Sequence, residues 1–455
     1  ATLPAGPKAR WITGHLSDFR AGPLEFLNRC VRDYGDFVPL RIGVKKLLLV
    51  SDPDAIEEVL ITKSRDFVKH WGLKQTATLL GNGLLNSEGD FWLRQRRLAQ
   101  PAFHRDRIQQ YGRDMIDHTR RMLAEWRDGD RRDLVVEMMA LTLKIAAKTL
   151  FDAEETGDAA IIREQLSKSI RLFNERFTSF IRIPLGWPTP RNLKMRAVSR
   201  RLNEIIYKYI ERRRREGAGD RHDLLSLMLN ARDDAGDGKG MTDDQLRDEV
   251  MTLFLAGQET TALALSWTWY LLAGHPDVEE RLVADLRKEL GDRPLTVEDV
   301  PRLKYAEAVI NESMRLHPPA YVLGREAIRD TTVAGHRVPK GWTVFMAQSV
   351  LHRDPRWWPE PEKFRPERWL DGSTKDLPKF AYFPFGGGPR ICIGNTFAMM
   401  ETVVVLTKVV RRFHFERTDQ EPLKPVPSIT VRPDRPLNVV LHERPATVEA
   451  SARRG

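Results

Sequence analysis

The loop Phe385–Gly394 contains the one cysteine whose sequence surroundings suit metal chemistry. Its residues read FGGGPRICIG, and a helical pattern follows them. Glycines let main-chain N–H groups approach a sulfur atom closely, and the positive end of a helix stabilises a thiolate. Cys392 is therefore a candidate metal ligand. A lone cysteine is more often a small core residue, and this is our interpretation of Cys30, which lies in the helical pattern LEFLNRCVRDYG.

An acid and a hydroxyl, Glu259 and Thr260, interrupt the longest predicted helix, residues 243–273. The small residues Ala256 and Gly257 would let a flat cofactor lie against this helix. An acid beside a hydroxyl in an apolar span is costly unless the pair relays protons or holds water. A buried threonine can instead bond to the carbonyl four residues earlier. Because the cysteine loop is also present, we favour the proton relay.

The cysteine loop resembles the haem-binding loop of the cytochromes P-450, F-x-x-G-x-R-x-C-x-G. Every defined position matches, namely Phe385, Gly388, Arg390, Cys392 and Gly394. The resemblance implies that Cys392 is the thiolate ligand of the iron in heme b (iron protoporphyrin IX). It further implies that Phe385 packs beside the sulfur and that Arg390 pairs with a haem propionate. A haem thiolate favours cleavage of the O–O bond.

The family's motif A/G-G-x-D/E-T-T also matches this sequence, at residues 256–261. The resemblance implies that Ala256 and Gly257 lie against the cofactor. It makes Thr260 the hydroxyl that stabilises dioxygen and guides protons to it, with Glu259 as the acidic partner.

Glu312 and Arg315 form an E-x-x-R pair on one helical face. The pattern alone is weak, because Glu211 and Arg214 show it within a charged, solvated run. Its position between the two other motifs, followed by LHPP and then PERW, matches the order in the family. The resemblance implies that Glu312, Arg315 and Arg368 form a structural charge network near the cysteine loop, for folding and haem retention.

Trp92 and Arg96, in the sequence WLRQR, are four residues apart and share one face of a predicted helix. A buried indole N–H needs an acceptor, although an amphipathic helix covered by Trp92 would show the same pattern. The pair matches the family's W-x-x-x-R, which implies hydrogen bonds to a haem propionate. Arg325 matches the arginine that members place on a propionate after the E-x-x-R helix.

The elements that must position these residues are mainly helical. Residues 33–61 predict a hairpin around Gly43 followed by a helix. Residues 105–250 show mostly helical spacing, interrupted at 184–192 and at 233–240. A final helix is predicted over about 395–412.

The helix 243–273 has the clearest end signals, because Thr242 and Gln245 form a capping box and Gly274 ends the pattern. Past it, the runs TTVAGHRV and WTVFMAQSV are strand-like. We therefore predict a mainly α fold with small β-sheets (α+β). The resemblance implies the cytochrome P-450 fold, in which a long helix crosses a haem held by a cysteine loop.

The composition is typical of a soluble globular protein, with 41% hydrophobic and 30% charged residues in 455. It excludes collagen, coiled coils, wholesale disorder and polytopic membrane proteins. We expect a single domain over residues 1–445 and a disordered tail over 446–455, which lacks an apolar pattern. Two cysteines cannot form a disulfide framework or a four-cysteine metal site.

The N-terminal segment has no apolar stretch typical of a signal peptide or membrane anchor. We favour a soluble protein, although the sequence does not distinguish this from a chain whose upstream segment was removed. The two cysteines indicate a reducing compartment, so we expect a cytoplasmic location, and we expect a monomer without a transmembrane anchor in this chain. The net charge of +10 suits an acidic protein partner, an anionic membrane surface or nucleic acid. Basic and acidic residues are interleaved along the helices, so we expect no nucleic-acid binding.

The predicted function is a monooxygenase that inserts one atom of dioxygen into a lipophilic substrate. A haem-thiolate sensor would need the loop of Cys392 but not the pair Glu259 and Thr260, and a peroxide-driven enzyme could also dispense with that pair. The sequence lacks a nucleotide-binding glycine motif, so electrons are expected from a separate partner. The basic stretch Arg94–Arg107 would bind an acidic ferredoxin or flavodoxin, although a solvated helix face is an equal alternative.

The residues expected to line the substrate pocket follow from the resemblance. They lie in the segment 67–85, on the long helix, at a strand entry and in a turn near the C-terminus. Most are apolar, which favours a lipophilic substrate such as a fatty acid or a terpenoid. The individual positions are Phe254, Ala256, Ala320, Val322 and Ile429.

Overall fold

The computed structural model describes residues 4–152, 161, 164–165, 168–169, 172, 187–217 and 221–445. Contacts between residues divide the chain into two compact units. The first comprises Ala1–Gly72, Asn311–Ile393 and Pro425–Arg432. The second comprises Leu73–Ile310, Gly394–Lys424 and Pro433–Gly455.

Helices account for most of the regular structure. They are α1 (Leu16–Ala21), α2 (Pro23–Tyr34), α3 (Pro53–Glu57), α4 (Ala77–Leu80), α5 (Gly89–Ala99), α6 (Arg105–Ala124), α7 (Leu134–Phe151), α8 (Pro190–Glu216), α9 (Leu224–Asn230), α10 (Asp243–Ala273), α11 (Pro276–Leu290), α12 (Lys304–Leu316), α13 (Gln348–Leu351) and α14 (Asn395–Val410).

The strands are short and form small sheets. They are β1 (Phe37–Ile42), β2 (Lys45–Val50), β3 (Phe67–Lys69), β4 (Arg131–Asp133), β5 (Leu323–Ala327), β6 (Thr331–Val333), β7 (His336–Val338), β8 (Thr343–Met346), β9 (Phe413–Arg417), β10 (Pro425–Pro427), β11 (Val431–Pro433) and β12 (Asn438–Glu443). Their orders are β1-β2-β8-β5-β3 and β4-β12-β9, with the pairs β6-β7 and β10-β11.

The first unit is built on the five-stranded sheet. Gly43, with φ of +60°, makes the turn between β1 and β2, where a side chain would be strained. Parallel pairing of β2 with β8 places Leu48 opposite Val344. These two residues and Ile56 of α3 belong to one buried apolar cluster. The sheet therefore packs against α3 through this cluster.

The second unit is mainly helical, and α10 is its longest helix. Thr242 Oγ1 accepts from the Gln245 N–H at 3.3 Å, and Gln245 Oε1 accepts from the Thr242 N–H at 3.1 Å, which satisfies two N–H groups at the helix start. Towards its other end, Trp267 and Trp269 are buried. The Trp269 indole donates to the Met138 sulfur of α7 at 3.3 Å.

The structure confirms the fold class, the hairpin around Gly43, the capping box and the helix 243–273. The prediction of a strand over WTVFMAQSV is only partly correct, because the end of this segment forms the helical turn α13. The chain leaves the sheet there, and backbone bonding from the His352 N–H to the Gln348 carbonyl at 2.9 Å overrides the β-propensity of valine.

Three expectations are limited by the described residues. The tail 446–455 and part of the interruption 184–192 lie outside them, and the single domain over 1–445 stays a prediction. Among the described residues, no helix has the length and apolar character needed to cross a bilayer.

Candidate active site

The cysteine loop is closed by its own backbone. The Cys392 N–H donates to the Phe385 carbonyl at 3.0 Å, and Gly388 turns the chain with φ of +66°. A Cβ on Gly388 would lie 1.9 Å from the Leu60 carbonyl oxygen, so only glycine fits. The Cys392 side chain is exposed, whereas Cys30 is buried in α2. The loop therefore holds a thiol in an accessible position, and Cys30 packs in the core.

Arg390 connects the cysteine loop to the start of β3 and to the segment before it. Its Nη1 donates to the Ser64 carbonyl at 3.3 Å and to the Phe67 carbonyl at 3.2 Å. The guanidinium is half-buried. These bonds fix the position of a cation two residues before Cys392.

Arg325 lies on β5, buried next to a neutral histidine. Its Nη1 donates to the Gly324 carbonyl at 3.1 Å. Burial and the positive charge of Arg325 lower the pKa of His70 to about 4, so this imidazole is neutral at pH 7. The His70 ring packs edge-on against Phe345, with ring centroids 5.7 Å apart. Of this pair, Arg325 therefore carries the positive charge at pH 7 and His70 does not.

Glu312 lies at the centre of a buried charge network, together with Arg315 and Arg368. Its Oε1 accepts from Arg315 Nη2 at 2.8 Å, from Arg368 Nε at 2.9 Å and from the Arg365 N–H at 3.0 Å. Its Oε2 accepts from Arg315 Nε at 2.9 Å and from the Trp369 indole at 3.0 Å. The structure thus brings together the three residues named from the sequence and adds two donors that sequence reasoning missed.

The network reaches the cysteine loop through His352. Arg315 Nη1 donates to the His352 carbonyl at 2.8 Å, and the Phe383 N–H donates to His352 Nε2 at 3.0 Å. Burial, then the charge of Arg315, lowers the pKa of His352 to about 3. The His352 ring therefore stays neutral, and its Nε2 can accept from the N–H of Phe383, which lies two residues before Phe385.

The middle of α10 offers an open face in a helix that is otherwise largely buried. Ala256 is exposed, and a Cβ on Gly257 would meet no atom within 4 Å. Thr260 Oγ1 donates to the Ala256 carbonyl at 2.6 Å, the bond four residues back that the sequence left as an alternative. The hydroxyl oxygen keeps lone pairs for a further donor. Glu259 beside it is buried.

Helix α5 carries Trp92, which is buried, and Arg96, which donates through Nε to Gln100 Oε1 at 3.0 Å. The buried residue Gln95 between them donates through Nε2 to Glu249 Oε1 of α10 at 3.2 Å. Sequence reasoning missed Gln95 and Glu249. Polar residues at apolar helix positions were the only available signal.

The expected pocket residues differ in their environments. Phe254 is buried, with its ring centroid 5.9 Å from that of Phe151. Ala320 and Val322 are half-buried, and Ile429 is exposed.

Comparison with known proteins shows the family to which the chain belongs. The family model for cytochrome P450 matches residues 4–441. The chain belongs to the cytochrome P450 family. It is 35% identical to cyclooctat-9-en-7-ol 5-monooxygenase of Streptomyces melanosporofaciens, over 94% of this chain and 91% of the relative. It is 32% identical to pentalenene oxygenase of Streptomyces avermitilis, over 97% of this chain and 98% of the relative.

A solved P450 has a similar fold. The crystal structure of the cytochrome P450DA heme domain superposes with a TM-score of 0.88 at 28% identity and covers 98% of both chains. Family, relatives and fold together confirm a P450 monooxygenase with haem as its cofactor.

The described residues fit a haem. Cys392 supplies one exposed sulfur donor, which suits a haem iron but not a multi-cysteine cluster. Ala256 and Gly257 give α10 a flat, open surface that a larger side chain would fill. The cations of Arg325 and Arg390 have the charge that propionates require.

We predict that Gly388→Ala destabilises the protein by more than the strain of its backbone alone. A left-handed φ costs about 1–2 kcal/mol for alanine, and the overlap with the Leu60 carbonyl adds to it. Gly341→Ala is the matched control, because Gly341 has φ of +83° and open space around a Cβ. Urea unfolding measures both, and equal losses of unfolding free energy would contradict the close contact.

Proposed function

We propose that this P450 inserts one oxygen atom of O2 into a lipophilic substrate while two electrons and two protons reduce the other atom to water. The observation that carries the proposal is the exposed Cys392, held by a loop closed at Phe385. In this proposal Cys392 binds the haem iron as a thiolate. The haem supplies the binding and activation of O2, and its thiolate ligand favours O–O cleavage.

We propose that Thr260 and Glu259 transfer protons to the oxygen-binding site. The Thr260 hydroxyl already donates to the Ala256 carbonyl, so its oxygen can accept a hydrogen bond and pass a proton on by rotation. The buried Glu259 carboxylate lies next in sequence and can exchange a proton with water. The pair thus supports turnover rather than simple haem binding.

Trp92, Arg96, Arg325 and Arg390 are proposed to hold the two propionates. Each guanidinium offers a planar set of donors that matches a carboxylate. The bonds of Arg325 and Arg390 to carbonyls of the first unit preset their positions. The neutral His70 leaves Arg325 as the charged partner.

For the substrate we propose a terpenoid or another lipophile of similar size, such as a fatty acid. Two relatives are named for oxidation of cyclooctat-9-en-7-ol and of pentalenene, which supports the terpenoid. Phe254, Ala256, Ala320, Val322 and Ile429 stay the proposed pocket residues.

Electrons are proposed to arrive from an acidic ferredoxin or flavodoxin. The structure shows that the basic stretch 94–107 is partly neutralised within the chain. Arg97 donates through Nε and Nη2 to Asp233 at 2.7 and 2.6 Å, and Arg94 lies 3.4 Å from Asp237. Docking therefore depends more on exposed cations such as Arg105.

We predict that Cys392→Ala removes the strongly red-shifted Soret band of the reduced protein under carbon monoxide, because the thiolate is lost. The matched control is Cys30→Ala, which changes a buried cysteine of α2. The control is expected to keep the band. A red-shifted band in Cys392→Ala would exclude Cys392 as the ligand.

We predict that Thr260→Ala lowers the product formed per electron pair by roughly tenfold, since water replaces a positioned hydroxyl only in part. Thr268→Ala is the control, because Thr268 Oγ1 makes the same type of bond to the Ala264 carbonyl, at 2.7 Å. The electrons consumed from a reduced ferredoxin and the product formed are measured together, with the substrate that gives the largest spin-state shift. Unchanged coupling in Thr260→Ala would contradict the relay.

We predict that Arg105→Glu weakens the apparent affinity for an acidic ferredoxin by about 1 kcal/mol, roughly fivefold, at low salt. Arg131→Glu, an exposed change on β4, serves as the control. Reduction by dithionite is expected to stay normal in both. Equal ferredoxin kinetics in the two variants would argue against docking at the start of α6.

A further inference from the structure

The loop of residues 81–87, which joins α4 to α5, is bonded to two consecutive residues of α10, and the end of α4 is bonded to a third. The Asn82 N–H donates to Asp248 Oδ2 at 2.7 Å, and the Leu84 N–H donates to Glu249 Oε2 at 2.9 Å. Just before this 81–87 loop, the Leu79 carbonyl accepts from Arg247 Nη2 at 2.9 Å. Side chains of one helix thus replace the backbone partners that a loop lacks.

Two glycines let the 81–87 loop come this close. A Cβ on Gly81 would lie 2.0 Å from Asp248 Oδ1, and Gly81 also has φ of +58°. A Cβ on Gly83 would lie 2.3 Å from Thr252 Oγ1 and 2.6 Å from the Asp248 carbonyl. The contact is therefore between the loop backbone and the helix, with no room for side chains.

Several of the bonding groups are buried and must be paired, whereas Asn82 is exposed and the Asp248 carboxylate is partly exposed. Glu249 is fully buried, and its second oxygen accepts from the equally buried Gln95 at 3.2 Å. Arg247 is buried and donates to Asp248 Oδ1 at 2.6 Å. Removing Glu249 takes an acceptor from two buried donors, the Leu84 N–H and the Gln95 amide, which costs more than the loss of an exposed bond such as that between Asn82 and Asp248.

A second helix and the loop itself add further bonds. Ser199 of α8 donates to the Thr78 carbonyl at 3.0 Å. Asn86 donates to the Gly81 carbonyl at 3.0 Å and accepts from Thr76 Oγ1 at 3.1 Å. The 81–87 loop is therefore held by α10 and across its own base, and α8 holds Thr78 in the short helix α4 that precedes the loop.

The bonded part of α10 directly precedes its open face. Thr252, which Gly83 contacts, is one turn before Ala256, and Asp248 is eight residues before it, about 12 Å along the helix. A ligand at Ala256 and Gly257 that extends towards the start of α10 would meet the loop.

We propose that Asp248 and Glu249 are positioning residues that hold the 81–87 loop as a preformed wall of the substrate site. The inference rests on the proposed function and adds which residues set its selectivity for larger ligands. A fixed wall binds a large ligand without first being ordered, whereas a released loop must be ordered on binding. The affinity for small ligands that do not reach the wall does not depend on whether the loop is fixed.

The test uses the haem-loaded protein and two azoles, imidazole and phenylimidazole, whose binding shifts the Soret band. In Asp248→Ala and Glu249→Ala, we expect phenylimidazole to bind about tenfold more weakly and imidazole to stay within about twofold of the wild type. Hydrogen exchange at Asn82 in the first variant, and at Leu84 in the second, is expected to accelerate. Asp244→Ala is the control, because Asp244 accepts from Tyr207 at 2.5 Å and does not bond the loop.

Glu249→Gln gives the rescue. If Gln95 turns its amide, the new amide at position 249 can still accept from Leu84. Arg94 then loses the Gln95 oxygen, 3.2 Å away, but keeps the Gln245 oxygen and the Gly240 carbonyl as acceptors, so near wild-type azole selectivity is expected. A general loss of stability would weaken both azoles equally and would overturn the proposal, as would unchanged selectivity with faster loop exchange. If Glu249→Ala does not load haem, Asp248→Ala, whose carboxylate is partly exposed, decides the question. Failure of the proposed function would appear separately, as a wild-type protein without the thiolate band.

Discussion

The burial of the Glu312 carboxylate is the constraint on which the first unit depends. A carboxylate without water costs several kcal/mol and persists only if its lone pairs are occupied. Glu312 has five donors, from Arg315, Arg365, Arg368 and Trp369. Satisfying them requires α12 and the segment 365–369 to keep one relative position.

The Glu312 network is connected to the start of the cysteine loop through neutral groups. Arg315 also binds the His352 carbonyl, and the His352 ring accepts from the backbone of Phe383. The cysteine loop therefore begins from a fixed point, and Gly388 against Leu60 fixes its middle. In the second unit, Glu249 has a similar part, since it joins α10, α5 and the backbone of Leu84. Two buried carboxylates thus organise the two units separately.

How much could be predicted from the sequence depends on the distance over which each interaction acts. The turn at Gly43, the cap at Thr242 and the cysteine loop are encoded within a few residues, and they were found. The donors Trp369 and Gln95 lie 57 and 154 residues from the carboxylates they bind. A periodicity carries no information about such pairs until the topology is known. The same reason explains Arg97, whose neutralisation by Asp233 a net charge cannot show.

Burial separates the residues that organise the units from those assigned to chemistry. Glu312, Arg315 and Glu249 are fully buried by protein atoms, whereas Cys392 and Ala256 lie where the haem is proposed to bind. Thr260 is half-buried, and its hydroxyl donates to a carbonyl of its own helix. A reacting group must be reachable and able to change its bonds, so its precision has to come from neighbours that cannot move. In our proposal, selectivity can then be altered at Glu249 or Asp248 without touching a reacting atom, because these side chains hold the loop by its backbone.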